Sequence, residues 1–290
     1  MDSVSGSDSN TGISESSAFK SVAKVSAMHL LPGDHVLFKD GGLYSGTLTL
    51  DDSGTAANPI VVGSYGNGSH PTISTSNKTG IEVSGSYVTV QDLHVTGPRE
   101  AGVHVTGDHV TVQGNEIDNS GSGVTIEGSN GLYTHNSVHD LHMVNNTPGG
   151  DDDYGAEAFN IWGGSHNELS FNEVVNAKAP SYDYGYDGGG FEFYGSSSDT
   201  YIHDNTVRNS DGFMETGGQS GDVISNVRVQ NNIADNDGGF GWLHNDPNKG
   251  NFGVVHNNFD ISQNTIIHGD GLGGDAPLGT GISFHDNIFV

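Results

Sequence analysis

The chain has 290 residues, with 9 Lys and Arg against 36 Asp and Glu, a net charge of −27 and no cysteine. That acidity excludes nucleic acid and anionic membrane surfaces as partners, and disulfides cannot hold the fold. No apolar run is long enough for membrane insertion, and Met1-Asp2-Ser3 does not open a signal peptide, so the start looks like a mature secreted chain behind an added Met.

Residues 2–12 form a polar leading segment. Over 17–31, Phe19, Val22, Val25, Met28 and Leu31 recur near helical spacing until Pro32-Gly33-Asp34. The run predicts a short amphipathic helix that caps the open end of a coil. We assign residues 1–35 to this segment and cap, and 36–290 to the coil, which begins with Val36–Phe38, 43–50 and Ile60–Val62.

From residue 80 one pattern keeps returning: Gly, apolar, any, apolar, any, Gly. It spans Gly80–Gly85, Gly102–Gly107, Gly123–Gly128, Ala158–Gly163, Gly190–Gly195 and Gly212–Gly217. Such alternation is a half-buried strand. Ile81 to Val103 is 22 residues, Val103 to Val124 is 21, and Phe191 to Phe213 is 22. Strands this short have no core of their own, so copies must stack. The expectation is an all-β fold, one elongated parallel β-helix of about 22 residues per turn. A 32% hydrophobic content and 45 Gly suit a narrow core with frequent corners. Asn115, Asn136, Asn172, Asn205, Asn232, Asn258 and Asn287 recur at one corner, where Asn would take the left-handed backbone a sharp turn needs and stacked amides would form an internal ladder.

Two turns are enlarged: Val124 to Phe159 is 35 residues and Phe159 to Phe191 is 32. The extra length lies in 137–157 and 176–189, and long loops on a rigid coil wall a binding groove. The 42 residues from Phe240 to Ile282 leave room for a further turn. Asn287–Val290 stops inside a rung, as a coil that continues or has been cut would.

Alignment of the strands turns Glu82, His104, Thr125, Asn160, Glu192 and Met214 outward, together with Trp162, Tyr194 and Thr216 two residues on. Glu215 falls in an inward slot, so either burial raises its pKa or the register slips. In both cases it lies one turn from Glu192, about 4.8 Å along the stack. Glu192, Glu215 and Asp187 are the candidate reacting carboxylates, because a protonated acid beside an ionised partner cleaves a glycosidic bond. Trp162, Tyr184, Tyr194, Lys178 and His244 are the candidate sugar-positioning residues. Asp151, Asp152, Asp153, Asp183 and Asp211 are candidate Ca²⁺ ligands, with Glu157 and Asp246 nearby. The basic residues around this patch are Lys178, Arg208, Arg228 and Lys249.

The opening layout, SGSDSNTG…SAFKSVAK…LPGDHVLFKDGGLYSGTLTL, resembles the amino-terminal cap and first turn of secreted pectate-lyase-like β-helix proteins over roughly the first 60 residues. That resemblance implies a right-handed helix and an extracellular location. NSDGFMETGG (209–218) is similar to the Asn-Ser-Asp-Asp-Gly stretch of family 9 pectate lyases, whose aspartates bind calcium and whose base is a strand Lys. Here the preceding strand carries Glu192 and Tyr194 and no Lys. YGYD (184–187) resembles the Tyr-Gly-Phe-Asp of alginate C5-epimerases, which implies catalytic roles for Tyr184 and Asp187. The epimerase motif continues Pro-His, whereas Gly188-Gly189 follow here.

The preferred reading is a secreted polysaccharide-cleaving enzyme, a glycoside hydrolase, with its groove between 137–157, 176–192, 211–216 and 240–249. A Ca²⁺-dependent lyase or uronate epimerase, with Lys178, His244 or a Tyr as base, is the first alternative. A non-catalytic carbohydrate-binding or adhesin module is the second.

Overall fold

Every turn of the chain is cut into short strands because residues that accept a left-handed backbone recur at fixed corners. The computed structural model describes residues 1–235, 238–246, 248, 253–274 and 281–290. Successive strands are dealt in rotation to three parallel sheets. The first sheet runs from His35–Lys39 to Ile282–His285, the second from Leu43–Ser45 to Ile288–Phe289, and the third from Leu48–Leu50 to Leu272–Gly274. This is the expected parallel β-helix. The strand Leu272–Gly274 pairs with Gly241–Leu243 and supplies the further turn expected between Phe240 and Ile282.

Inward side chains stack rung on rung. Ile81, Val103, Val124, Phe159 and Phe191 are fully buried at one register position of the third sheet. Beside them the rings of Phe159, Phe191, Phe213 and Phe240 follow one another at 5.3, 5.1 and 4.6 Å between centroids. A stack of this kind removes each apolar surface from water without needing a wide core.

The amide ladder occupies the corner between the first and second sheets. Asn115, Asn136, Asn172, Asn205, Asn232, Asn264 and Asn287 follow one another. The backbone N–H and Nδ2 of each donate to Oδ1 of the next at 2.9–3.1 Å. Two expectations change here. The rung position expected for Asn258 belongs to Asn264; Asn258 lies within the first-sheet strand Val255–Ser262 and donates to Asn226 Oδ1 at 2.9 Å. The left-handed residue at each of these corners is also not the ladder Asn but the one before it, from Gly114 and His135 to Asp286.

The amino-terminal cap is less helical than expected over 17–31. Only Val22–Ser26 is α-helical, preceded by a 3₁₀ turn at Glu15–Ser17. Asp8 Oδ1 accepts the N–H groups of Lys20 and Ser21 at 2.9 Å, which holds that stretch extended. Ser21 Oγ then caps the helix at Lys24 N. Downstream, Leu30 N donates to Asp52 and pulls the chain onto the coil, so Leu30 is buried and Leu31 is exposed.

Candidate active site

Outward positions on the third sheet form a ladder: Glu82, His104, Thr125, Asn160, Glu192, Glu215 and Trp242 stand in register on successive rungs. The lower rungs are electrostatically matched. His104 places Nδ1 and Nε2 each 2.9 Å from a carboxylate oxygen, of Glu82 and Glu127 respectively, and these bonds raise its pKa against the opposing effect of burial. Above Asn160 the matching ends and carboxylates stack on carboxylates.

Glu215 reaches this ladder through a register slip. Phe191 pairs with Met214 and Glu192 with Glu215, so Met214 and Thr216 turn inward and Glu215 outward. Of the two readings of Glu215 the register slip is the one observed, and the expected outward Met214 and Thr216 are corrected to inward. Phe213 remains buried one residue earlier, stacked between Phe191 and Phe240, and displaces the repeat by one position. His244 Nε2 lies 2.9 Å from Glu215 Oε1, within hydrogen-bond distance. Behind them, buried His256 shares a 2.9 Å bond with Thr216 Oγ1; burial, then His244, lowers its pKa to about 4 and keeps it neutral.

Glu157 enters the same face from the start of the strand Glu157–Ile161 and pairs with Ser122 on one side and Gly189 on the other. A Cβ at Gly189 would stand 3.2 Å from Glu157 Oε2, so glycine leaves that carboxylate its room. Glu157 is buried. Its Oε2, like Asn160 Oδ1, is a buried oxygen without a hydrogen-bond partner. Asp187 arrives from the second insertion, its Oδ1 accepting Gly188 N at 2.9 Å. One oxygen each of Glu157, Asp187 and Glu215 lies within 4.8 Å of the others.

Crowding and burial raise the pKa of the carboxyls around Glu215. Burial, then Glu215 and Asp187, pushes Glu192 up to about 8. Burial, then Glu215, pushes Asp187 up to about 7. Burial, then Glu192, drives Glu157 well above the carboxylate range. Asp211 is raised by burial and Glu215, with Lys178 opposing.

The two insertions make one wall beside the cluster. Each is a hairpin, Met143–Asn145 with Tyr154–Gly155 and Ala179–Ser181 with Gly185–Asp187. They are tied together by acidic side chains. Asp153 accepts Thr147 N at 2.6 Å, Ser181 Oγ at 2.7 Å and Asp183 N at 3.1 Å. Asp183 accepts Asp152 N at 3.0 Å, and Tyr184 Oη donates to Asp151 at 2.9 Å. Asp152, Asp153 and Asp183 thus form a second acidic group inside the wall, apart from Glu157, Asp187 and Glu215. Lys178 Nζ lies 5.8 Å from the ring centre of Tyr186.

Trp162, Tyr194 and Trp242 keep 44%, 36% and 48% of their surface exposed along the ladder, and Tyr184 is exposed on the wall. Below the carboxylates a shallow groove continues past Glu157, Asn160, Trp162, Tyr154 and His104. Of the residues expected to act, Glu192, Glu215, Asp187 and Asp211 are brought together with His244, and Asp151, Asp152, Asp153 and Asp183 are brought together in the wall. Lys249 lies outside the described residues. Sequence reasoning named Glu157 only as a neighbour and gave no role to Asn160 or Trp242. A signal for Glu157 existed: Thr79, Ala101, Ser122 and Gly189 fill its register position on other turns, so a carboxylate there is an outlier.

The family model described as right handed beta helix region matches residues 79–289. No curated protein sequence matches the chain. Solved structures of similar fold include an alginate lyase from Paenibacillus sp. str. FPU-7, at 16% identity and a TM-score of 0.69 over 93% of both chains. Pectate lyase Pel9A is 17% identical, with a TM-score of 0.61 over 98% of this chain and 72% of that one. A GH136 lacto-N-biosidase from Eubacterium ramulus is 15% identical, with a TM-score of 0.52 over 99% of this chain and 67% of that one. At these identities the likeness is one of fold.

Proposed function

We propose, for a chain that belongs to the right-handed β-helix family, that it is a secreted polysaccharide-cleaving enzyme, a glycoside hydrolase with paired carboxylates on the outer face of the third sheet. The observation that carries this reading is the contrast between two neighbours on one ladder. Glu192 is pushed up to about 8 by burial and its carboxylate neighbours, whereas Glu215 on the next rung has His244 Nε2 at 2.9 Å. Two carboxyl groups in such different surroundings can divide the roles of acid and nucleophile between them. Glu192 gives its proton to the glycosidic oxygen as the bond to the leaving sugar breaks. Glu215 forms the new bond to the anomeric carbon. Water then displaces Glu215, with Glu192 taking up the proton. Acid and nucleophile on adjacent rungs, whose backbones stand about 4.8 Å apart, suit the close pair of a retaining enzyme. Trp162, Tyr194 and Trp242 offer faces for sugar rings, and Tyr184 and Lys178 line the wall side.

A second reading is favoured by the oxygens of Glu157, Asp187 and Glu215 gathered within 4.8 Å and by the orphaned Glu157 Oε2. This oxygen-only set suits Ca²⁺, and those three residues would hold it. Bound there, the ion would supply acidification of the C5 proton of a uronate. Lys178, His244 or Tyr184 would remove that proton in a lyase or epimerase.

The test is activity on a panel of neutral and uronic-acid polysaccharides, with and without EDTA, following reducing ends and absorbance near 235 nm together. Reducing ends without absorbance, lost in Glu192→Gln and Glu215→Gln, are the expected result. Absorbance abolished by EDTA would replace the hydrolase with the calcium-dependent lyase. Glycan binding without either signal would make the chain a binding module.

A further inference from the structure

The second sheet carries a cluster that the hydrolase reading does not use. On the strand Glu116–Asp118, Ile117 points into the core and both carboxylates face solvent. His94 stands beside Glu116 on the preceding rung, and His139 beside Asp118 on the following one. Each imidazole crosses the central strand diagonally. His94 Nε2 lies 2.9 Å from Asp118 Oδ2, and His139 Nε2 lies 3.4 Å from Glu116 Oε1. Ligand atoms of His94, Glu116 and Asp118 fall within 4.8 Å of one another.

The outer contacts of the two histidines match. His139 Nδ1 is 2.8 Å from Asp140, whose other oxygen accepts Asn176 Nδ2 at 2.8 Å. His94 Nδ1 is 3.3 Å from Thr72 Oγ1. In both rings the outer nitrogen is engaged and Nε2 is turned toward the central strand; His139 lies outside the trio gathered within 4.8 Å and reaches it from the following rung through Glu116. Carboxylate or hydroxyl support of the far nitrogen is how metal-binding imidazoles are oriented and kept in one tautomer. Two imidazoles with two carboxylates form a donor set for a borderline-soft divalent ion rather than for calcium.

We propose that His94, Glu116, Asp118 and His139 bind Zn²⁺ on the outer face of the second sheet, clamping three consecutive rungs. The site is separate from the carboxylate ladder of the third sheet and does not depend on what that ladder does.

The experiment is calorimetric titration of the whole chain with Zn²⁺ near pH 7.5. The variants are His139→Ala, Asp118→Asn, the double variant His94→Ala/His139→Ala, and Glu157→Gln/Asp187→Asn as the control for the other carboxylate group. Circular dichroism verifies the fold of each. The expected result is one equivalent bound by the parent and by the control pair. Binding weakens at least tenfold in each single second-sheet variant and is lost in the double variant, since even loss of an outer-shell partner costs roughly 10–100-fold in affinity. Co²⁺ should give a visible absorption band that the double variant lacks. No binding by the parent would reduce the cluster to an ion-pair network and overturn the proposal. So would binding untouched by the double variant, or binding abolished by the control pair.

Discussion

The two acidic groups beside the insertions have similar composition and opposite physics. In the wall, Asp153 is buried, yet donors from Ser181, Thr147 and Asp183 surround it. Burial alone would push its carboxyl up, but those hydrogen bonds together bring it below the usual carboxylate range. On and beside the ladder, Glu157, Asp187 and Glu192 meet mainly other carboxyl groups, and all three are pushed up. A run of three aspartates draws the eye in the sequence, but the number of acids in a stretch says little. What separates the groups is whether N–H and O–H donors reach the oxygens. A satisfied carboxylate holds loops together, and an unsatisfied one retains the capacity to take a proton, a cation or a substrate.

Several substitutions sharpen this contrast. The largest effect is expected from Glu215→Gln and Glu192→Gln. Each should lower the rate of glycan cleavage by about 10³-fold or more while circular dichroism stays unchanged, since each removes a group that acts in the transition state. Asp153→Ala should come next. It strips the wall of its shared acceptor, so limited proteolysis should cut within 143–155 or 179–187, with activity falling through lost substrate positioning. Cleavage equal to that of the parent chain would show that the two hairpins do not need the bond.

The pH dependence of stability has opposite signs for the two groups. A carboxylate raised in the folded state binds more protons there than when unfolded, so stability falls as pH rises from its ordinary value near 4.5 through about 8 for Glu192. Glu192→Gln should therefore raise Tm at pH 9 and leave it unchanged near pH 4. For Asp153, lowered in the fold, the contribution is present above its unfolded value and is lost as pH falls through the folded one. Asp153→Asn should accordingly cost Tm at pH 7 and little in strong acid. The smallest effect belongs to Gly189→Ala. Its methyl would press on Glu157 Oε2 and lower activity several-fold through displacement of that carboxylate, with little change in Tm.

Much of this was legible in the sequence, and the failures share one cause. The repeat spacing of Val103, Val124, Phe191 and their partners identifies the coil, and the enlarged turns locate the groove. Glu192 and Asp187 are readable because they lie on a regular strand and at an insertion's end. Glu215 was readable as a candidate beside Glu192 but not in its direction, because Phe213 and Met214 are both apolar and both buried, so pattern alone cannot choose between two registers. Asn258 was mistaken for Asn264 for the same reason: paired asparagines look alike until strand pairing shows which one stands at the corner. In the cap, Asp8 binds Lys20 and Ser21 across the sequence, and a tertiary bond of that kind leaves no periodic trace. Trp242 was missed because its ladder partners are Glu215 and Gly273, which share no residue type with it.

The asparagine ladder has a consequence for how such a molecule changes over time. Successive amides bond at 2.9–3.1 Å whether the chain between them is 21, 36, 33, 27, 32 or 23 residues long. The spacing of rungs is thus metered at one corner and is indifferent to what the rest of the turn contains. Segments elsewhere on the circumference can be lengthened, shortened or exchanged without resetting the stack. Loops transplanted between Asn136 and Asn172, or between Asn172 and Asn205, should therefore retool the groove while leaving the rungs on either side in register.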